Sequence, residues 1–278
     1  MMYIGCHMSI RNGYDQAAKT AHALGANAFQ YFPKNPRSIS IKDFDKKAAV
    51  RCQQFCQEEK LVSYAHTPYP TKLISENLEL ENQIIASLIN DLEIAEACGS
   101  LGVVVHFGTM KTGDLLEGYK KMISVLNSVL HQWNGNVQIL IENNAGAGTN
   151  MGITLEEMVQ IRKLTNEPEK IGFCFDTCHA YASGLWNGDN WDSLVEKGLE
   201  LEYFQHLKVI HLNNSKYASG KRKDRHANLL NGFITETQLQ EILHSPVLNN
   251  IPFILETPND EEMHSHRDEI QLVKKWLN

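Results

Sequence analysis

Eight short apolar runs, each followed by a longer amphipathic stretch, set the strongest limit on how this chain folds. The runs are Tyr3 to His7, Ala28 to Phe32, Leu61 to His66, Leu101 to His106, Val137 to Glu142, Ile171 to Asp176, Leu207 to Leu212 and Ile251 to Glu256. They read as strands. Helical spacing of apolar positions follows them over Tyr14 to Leu24, Asp43 to Glu59, Leu78 to Cys98, Leu115 to Trp133, Thr154 to Leu164, Trp191 to Phe204, Glu236 to Leu243 and Glu261 to Leu277. Thr154 with Glu157 three residues on is a capping-box signature. Eight strand–helix units in 278 residues predict an α/β fold, a single (β/α)8 barrel of the TIM type. A doubly wound open sheet is the rival. The chain shows no linker, low-complexity tract or break in composition, which favours the closed barrel and one domain over residues 1–278.

Composition narrows the class. Apolar residues make up 42% and charged residues 21%, too apolar for a disordered chain. No stretch reaches the roughly 18 consecutive apolar residues of a membrane helix, and Met1 to Ser9 lacks the basic start of a secretory signal. The six cysteines are scattered, which reads as reduced thiols, with Cys52 and Cys56 buried at helical spacing. The expectation is a soluble, cytoplasmic protein.

The ends of the runs point to chemistry. Six of the eight finish at or next to His66, His106, Glu142, Asp176, His211 and Glu256, at spacings of 40, 36, 34, 35 and 45 residues. In a parallel barrel the C-terminal strand ends share one face, where active sites are built, so these side chains converge. Asp176-Thr-Cys-His179 adds a histidine one turn past a strand end. Asp224-Arg-His226 adds two more donors, pointing to one side if that loop is extended. His179, Asp224 and His226 make a two-histidine, one-carboxylate set. Nine candidates imply more than one ion, and imidazoles with carboxylates suit zinc, manganese or iron.

Other residues admit plainer readings. Glu142 and Glu256 could serve as a glycosidase pair, which needs no surrounding histidines. Cys174 and Cys178 flank Asp176 and read as packing residues rather than ligands. His22, His131, His244, His264 and His266 read as solvated surface, and His7 as a neighbour of the site. Gly146-Ala147-Gly148 is too short for a dinucleotide fingerprint, so no organic cofactor is expected. Asn213-Asn214-Ser215 matches a glycosylation sequon without consequence in a cytosolic protein. The net charge of −7 argues against general electrostatic binding to nucleic acid. Three divalent cations would bring it to about −1, because bound ions belong in the count. Lys208, Lys216, Lys221, Arg222, Lys223 and Arg225 crowd one segment that brackets proposed ligands, which suits contact with a phosphate backbone.

Several blocks carry a family resemblance. Ile141-Glu142-Asn143-Asn144-Ala145-Gly146, Phe175-Asp176-Thr177-Cys178-His179-Ala180, His211-Leu212-Asn213-Asn214-Ser215-Lys216, Asp224-Arg225-His226 and Leu255-Glu256-Thr257 closely resemble the signature blocks of endonuclease IV. That family consists of zinc-dependent apurinic/apyrimidinic endonucleases on a (β/α)8 barrel, and the resemblance runs from Ile4-Gly5-Cys6-His7-Met8-Ser9 to Glu256. It implies three Zn2+ per chain. His66 and His106 would hold the first, with Glu142 bridging to the second. Asp176, His211 and Glu256 would complete the second. His179, Asp224 and His226 would hold the third, where Mn2+ or Fe2+ would also fit. Glu142, His106 and Glu256 are the expected catalytic residues. Arg37 and Tyr69 match DNA-contacting positions, and Lys216 and Arg225 are candidates beside them. The implied reaction is hydrolysis of the phosphodiester 5′ to an abasic site in duplex DNA, leaving a 3′-hydroxyl, with cleaning of blocked 3′ ends as a second activity, by a monomer. Phe107, Pro70, Leu230 and Thr235 depart from the family's pattern: Phe107 replaces a proline, Pro70 an apolar residue, and Leu230 and Thr235 two glycines.

Two other functions compete. Sugar isomerases and epimerases place similar side chains around one or two ions on related barrels, but leave His179, Asp224 and His226 without a task. A zinc-bound DNA-binding protein that has lost cleavage would keep every ligand.

Overall fold

Every apolar run becomes a strand of one closed parallel barrel in the computed structural model, which describes residues 2–75, 77–110, 114–259 and 264–277. The barrel strands are β1 (Ile4–Met8), β2 (Ala28–Tyr31), β3 (Val62–His66), β4 (Gly102–His106), β5 (Gln138–Glu142), β6 (Ile171–Asp176), β7 (Leu207–His211) and, after an inserted ribbon, β10 (Phe253–Leu255). They pair in the order β1-β10-β7-β6-β5-β4-β3-β2, so β10 closes the ring against β1. The ribbon is the antiparallel pair β8 (Asn214–Ser215) and β9 (His226–Ala227).

Helices wrap the outside. They include α1 (Tyr14–Ala23), α2 (Lys46–Glu59), α3 (Leu78–Ala97), α4 (Leu115–Gln132) and α5 (Leu155–Leu164). The Thr154–Glu157 capping box opens α5 as the sequence predicts. The stretch from Trp191 to Phe204 is not one helix: it splits into α7 (Trp191–Glu200) and α8 (Tyr203–His206), because Glu202 adopts a left-handed backbone with φ 60°. A short helix, α6 (Thr177–Ser183), starts directly at the end of β6, its first turn capped by Asp176. The chain ends with α9 (Glu236–Leu243) and α10 (His264–Trp276), and residues 261–263 of the expected last helix lie outside the described residues.

The interior of the barrel is layered. Ala28, Tyr64, Val104, Leu140, Cys174, Val209 and Ile254 form an apolar inner cluster separate from the larger core between strands and helices. Side chains alternate along a strand, so the residue two positions on faces the same way. That step gives Gln30, His66, His106, Glu142, Asp176, His211 and Glu256, with His7 supplied by β1 beside Gln30. Each of the eight strands therefore contributes one polar side chain to the layer above the apolar plug. Six are the sequence's candidate ligands, and the other two are His7 and Gln30.

Two of the departures from the family pattern, Phe107 and Thr235, resolve into packing and a helix cap. Phe107 is 1% exposed and fills the space against Gly152, where an added Cβ would come within 2.4 Å of its ring. Thr235 caps α9: its hydroxyl accepts the Gln238 N–H, and the Gln238 side chain accepts the Thr235 N–H. Thr235→Ala is expected to cost about 1 kcal/mol by loss of that cap. Thermal unfolding would check this; an unchanged midpoint would refute it. Leu230 is 58% exposed, and Pro70 sits in the turn closed by the Thr71 N–H and Pro68 carbonyl.

Candidate metal centre

Glu142 stands at the middle of the polar layer, 1% exposed. Its Oε2 lies 3.1 Å from His106 Nε2 and 3.3 Å from His66 Nε2, and its Oε1 lies 2.8 Å from His211 Nδ1. Donor atoms of His66, His106 and Glu142 fall within 4.8 Å of one another, as do those of Glu142, Asp176, His211 and Glu256. Glu142 thus belongs to both sets. His179 Nε2 and His226 Nε2 lie 3.3 and 3.5 Å from Asp224 Oδ1, and Asp176 reaches toward this third set, 3.7 Å from His226. All nine candidates gather at one end of the barrel: His66, His106, His179, Asp224, His226 and Glu256 line its mouth, and Glu142, Asp176 and His211 lie buried against them. The β8–β9 ribbon carries the last two: it sets His226 on a strand with Asp224 two residues before it.

The histidines are prepared for a cation. A carbonyl can only accept, so each ring nitrogen facing one carries the proton. His66 Nδ1–H donates to the Thr67 carbonyl at 2.8 Å, His179 Nδ1–H to that of Asn143 at 2.9 Å, and His226 Nδ1–H to that of Glu256 at 3.3 Å. The opposite nitrogens face carboxylates. His226 Nε2 is buried with no hydrogen-bond partner among the described residues. Acceptors facing acceptors, beside one orphaned imidazole nitrogen, fit a divalent cation held by inward lone pairs. The buried thiols Cys174 and Cys178 also lie within reach of these sets. Burial pushes both up, Cys178 to about 12, so they are thiols at neutral pH in the absence of metal.

Electrostatics show what balances the cluster without metal. Burial opposes charge on His106, but the Glu142 carboxylate outweighs it and raises the ring above its usual range. His179 rises against burial through Asp176 and Asp224, and His211 through the Glu256 and Glu142 carboxylates. Burial would raise Glu142 and Glu256, yet neighbouring histidines, His211 foremost, hold both well below the carboxylate range. The raised rings stabilise the metal-free fold below their unfolded value of about 6.5, and this is lost as pH climbs through their folded values. The lowered carboxylates contribute above their unfolded range and fail as pH falls through their folded values. Metal-free protein should therefore lose thermal stability from about pH 6.5 upward. Divalent cations should displace the same protons. Calorimetric titration with Zn2+ in two buffers of different ionisation enthalpy should give net proton release at pH 7. Zero release, with a flat metal-free melting curve from pH 6 to 9, would sink this account.

Asparagines and a glutamine frame the donors, and the sequence reading did not single them out. Asn213 donates to Asp176 Oδ2 at 2.7 Å and Glu256 Oε2 at 3.3 Å, and Asn143 binds the Asp176 backbone at both its N–H and its carbonyl. Gln30 donates to Glu256 Oε1 at 2.7 Å and accepts from His211 Nε2–H at 2.8 Å. A period of two from the apolar layer was the available signal. Asn213, Asn214 and Ser215 are fully buried, so the sequon is inaccessible. His266 is not surface: it is 4% exposed, lines the mouth, and donates through Nε2 to the Thr257 carbonyl at 2.9 Å. The helical pattern of α10 concealed this, because its inward face meets the loop after β10.

The mouth is a cavity of about 480 Å³, with Phe32, Tyr69 and Arg225 on its wall. Tyr69 is 61% exposed, and its ring packs 5.1 Å from that of Phe32. Its N–H donates to the Pro36 carbonyl at 2.9 Å, tying the loop of exposed Arg37 to the loop after β3. Lys216 and Arg225 are exposed on the ribbon, joined by the Lys216 N–H to Arg225 carbonyl bond. Lys208 does not join them: it is the second residue of β7, at the opposite end of the barrel.

The fold and donor layer define a class, and residues 18–277 match the family model described as a xylose isomerase-like TIM barrel. A relative named "Probable endonuclease 4", from Symbiobacterium thermophilum, is 42% identical over 94% of this chain and 95% of its own. The crystal structure of endonuclease IV from Thermus thermophilus superposes with a TM-score of 0.87 at 31% identity, covering 99% and 98% of the two chains. The chain belongs to the endonuclease IV family. A D-tagatose 3-epimerase-like protein, at 17% identity and a TM-score of 0.72 over 99% and 97% of the chains, shares the fold alone.

Proposed function

We propose that this chain is a DNA-repair endonuclease that hydrolyses the phosphodiester 5′ to an abasic site in duplex DNA, leaving a 3′-hydroxyl, and that it also clears blocked 3′ ends. The observation that carries the reading is Glu142, shared between two donor sets with a third set next to it. Family membership supports it. A one- or two-ion sugar epimerase would leave His179, Asp224 and His226 idle.

His66, His106 and Glu142 would hold one Zn2+, Glu142, Asp176, His211 and Glu256 a second, and His179, Asp224 and His226 a third. Bound cations supply positive charge for the non-bridging and leaving oxygens and acidify water at neutral pH. The protein's own part is positioning. Glu142 sets the spacing of the first two donor sets, while the inward-facing lone pairs of His66, His179 and His226 are fixed by backbone carbonyls on the far side of their rings. His106 and Asp224, with side chains 38% and 43% exposed, are where this layer opens to a substrate. Arg37, Lys216 and Arg225 would contact backbone phosphates. Tyr69, supported by Phe32, would enter the gap left by the missing base, where the nucleotide is least held by stacking.

The test is a 5′-labelled duplex carrying one synthetic abasic site, with an intact duplex as control. Zinc-loaded protein should cut immediately 5′ to the lesion, and protein stripped by chelator should not. Failure of the loaded protein to cut would overturn the reading and turn attention to binding alone.

A further inference from the structure

Gln30 is the one neutral amide in the eight-membered polar layer, and it is fully buried on β2. Its register neighbours are His7 on β1 and Tyr64 on β3. A glutamine in that position is costly unless both ends of its amide are paired. Both are. Its Oε1 lies 2.8 Å from His211 Nε2, and its Nε2 lies 2.7 Å from Glu256 Oε1 and 3.2 Å from His7 Nδ1.

This pairing is directional. The amide nitrogen can only donate and the carbonyl only accept. Turning the amide over would aim its carbonyl at the Glu256 carboxylate, acceptor against acceptor. The carboxylate therefore fixes which end meets His211, and His211 must carry its proton on Nε2. The consequence appears across the ring, where His211 Nδ1 lies 2.8 Å from Glu142 Oε1 and 3.1 Å from Glu256 Oε2. That is the nitrogen whose lone pair serves the second donor set. By holding Glu256 Oε1, Gln30 also leaves Oε2 as the oxygen facing His211 and the Asn213 amide. His66, His179 and His226 have backbone carbonyls for the same task. His211, fully buried, has a side chain.

Resting on the metal-dependent reading above, we propose that Gln30 is a positioning residue that fixes the tautomer of His211 and the orientation of Glu256, and so sets the affinity of the second donor set for a divalent cation. It ligates nothing itself. Partners of this kind change metal affinity about 10–100-fold when removed.

The experiment uses Zn2+ alone, without DNA. Metal per chain and stepwise affinity are measured by competition with a chromophoric chelator, for wild type, Gln30→Leu and Gln30→Glu. Gln30→Leu removes the hydrogen bonds to His211, Glu256 and His7 and should weaken one of the bound ions about 10–100-fold while sparing the others. Gln30→Glu keeps an acceptor for His211 but opposes Glu256 with a second carboxylate, so it should also bind that ion more weakly. Imidazole 15N spectra of the loaded proteins add a readout that loss of packing would not move: His211 should be protonated at Nε2 in wild type and lose that single state in Gln30→Leu. Wild-type affinity in either folded variant would overturn the proposal. Should neither variant fold, a wild-type spectrum with His211 unprotonated at Nε2 would overturn it too. Wild type that binds no zinc would refute the metal-dependent reading, whereas zinc binding unaltered by both variants would refute the role of Gln30 alone.

Discussion

Glu142→Gln is expected to lower cleavage of the abasic duplex by about 10³-fold or more, since one preorganised electrostatic group is worth about 10²–10³ and Glu142 serves two donor sets. The substitution keeps shape and volume. It removes the negative charge that His66 and His106 face, whose Nε2 atoms lie 3.3 and 3.1 Å from the present oxygen. The first two donor sets then share no anion, so metal per chain should fall with turnover. Circular dichroism should still report a folded barrel, because the apolar layer beneath is untouched. Near-normal turnover with full metal content would remove Glu142 from the centre of the mechanism. Loss of turnover with unchanged metal content would instead assign its contribution to the reacting groups rather than to ion spacing.

The donor layer was legible because a barrel imposes two periods at once. One unit of about 35–45 residues brings each strand end to the same face, and a period of two aims each side chain inward. His66, His106, Glu142, Asp176, His211 and Glu256 satisfy both, which is why they stood out. Gln30 satisfies both as well, but an amide suggests no metal chemistry until its partners are known, and those lie 181 and 226 residues away. Asn213 was hidden in the same way inside a sequon. His266 misled for a different reason. A histidine at the start of a charged helix looks solvated, and only the closing of β10 against β1 brings the Thr257 carbonyl over it. The break between α7 and α8 turns on one left-handed residue, Glu202, which no apolar pattern reports.

Lys34 shows how far such concealment extends, and it carries the second large effect. A lysine in the loop after β2 would ordinarily be solvated, yet this one is 4% exposed. Its Nζ lies 3.0 Å from Asp91 Oδ1 on α3 and donates to the Ser87 carbonyl at 2.8 Å. Burial raises Asp91 to about 7 even with Lys34 beside it, and burial lowers Lys34. Desolvation is therefore the larger force on both partners, and the pair persists because each charge answers the other. Asp91→Ala should cost about 3–5 kcal/mol, the usual consequence of stranding one member of a buried pair. The double variant Lys34→Met with Asp91→Leu removes both charges and fills their volume, so it should fall within about 1 kcal/mol of wild type or exceed it. Chemical denaturation of the two variants decides between charge and packing: a double variant as unstable as the single would show that the lysine stem, not the ion pair, holds the loop. The same pair anchors the segment leading to Pro36 and Arg37, whose Pro36 carbonyl receives the Tyr69 N–H. If that loop grips DNA as proposed, Asp91→Ala should raise KM for the abasic duplex more than it lowers kcat, because the donor layer is built on other strands and keeps its geometry.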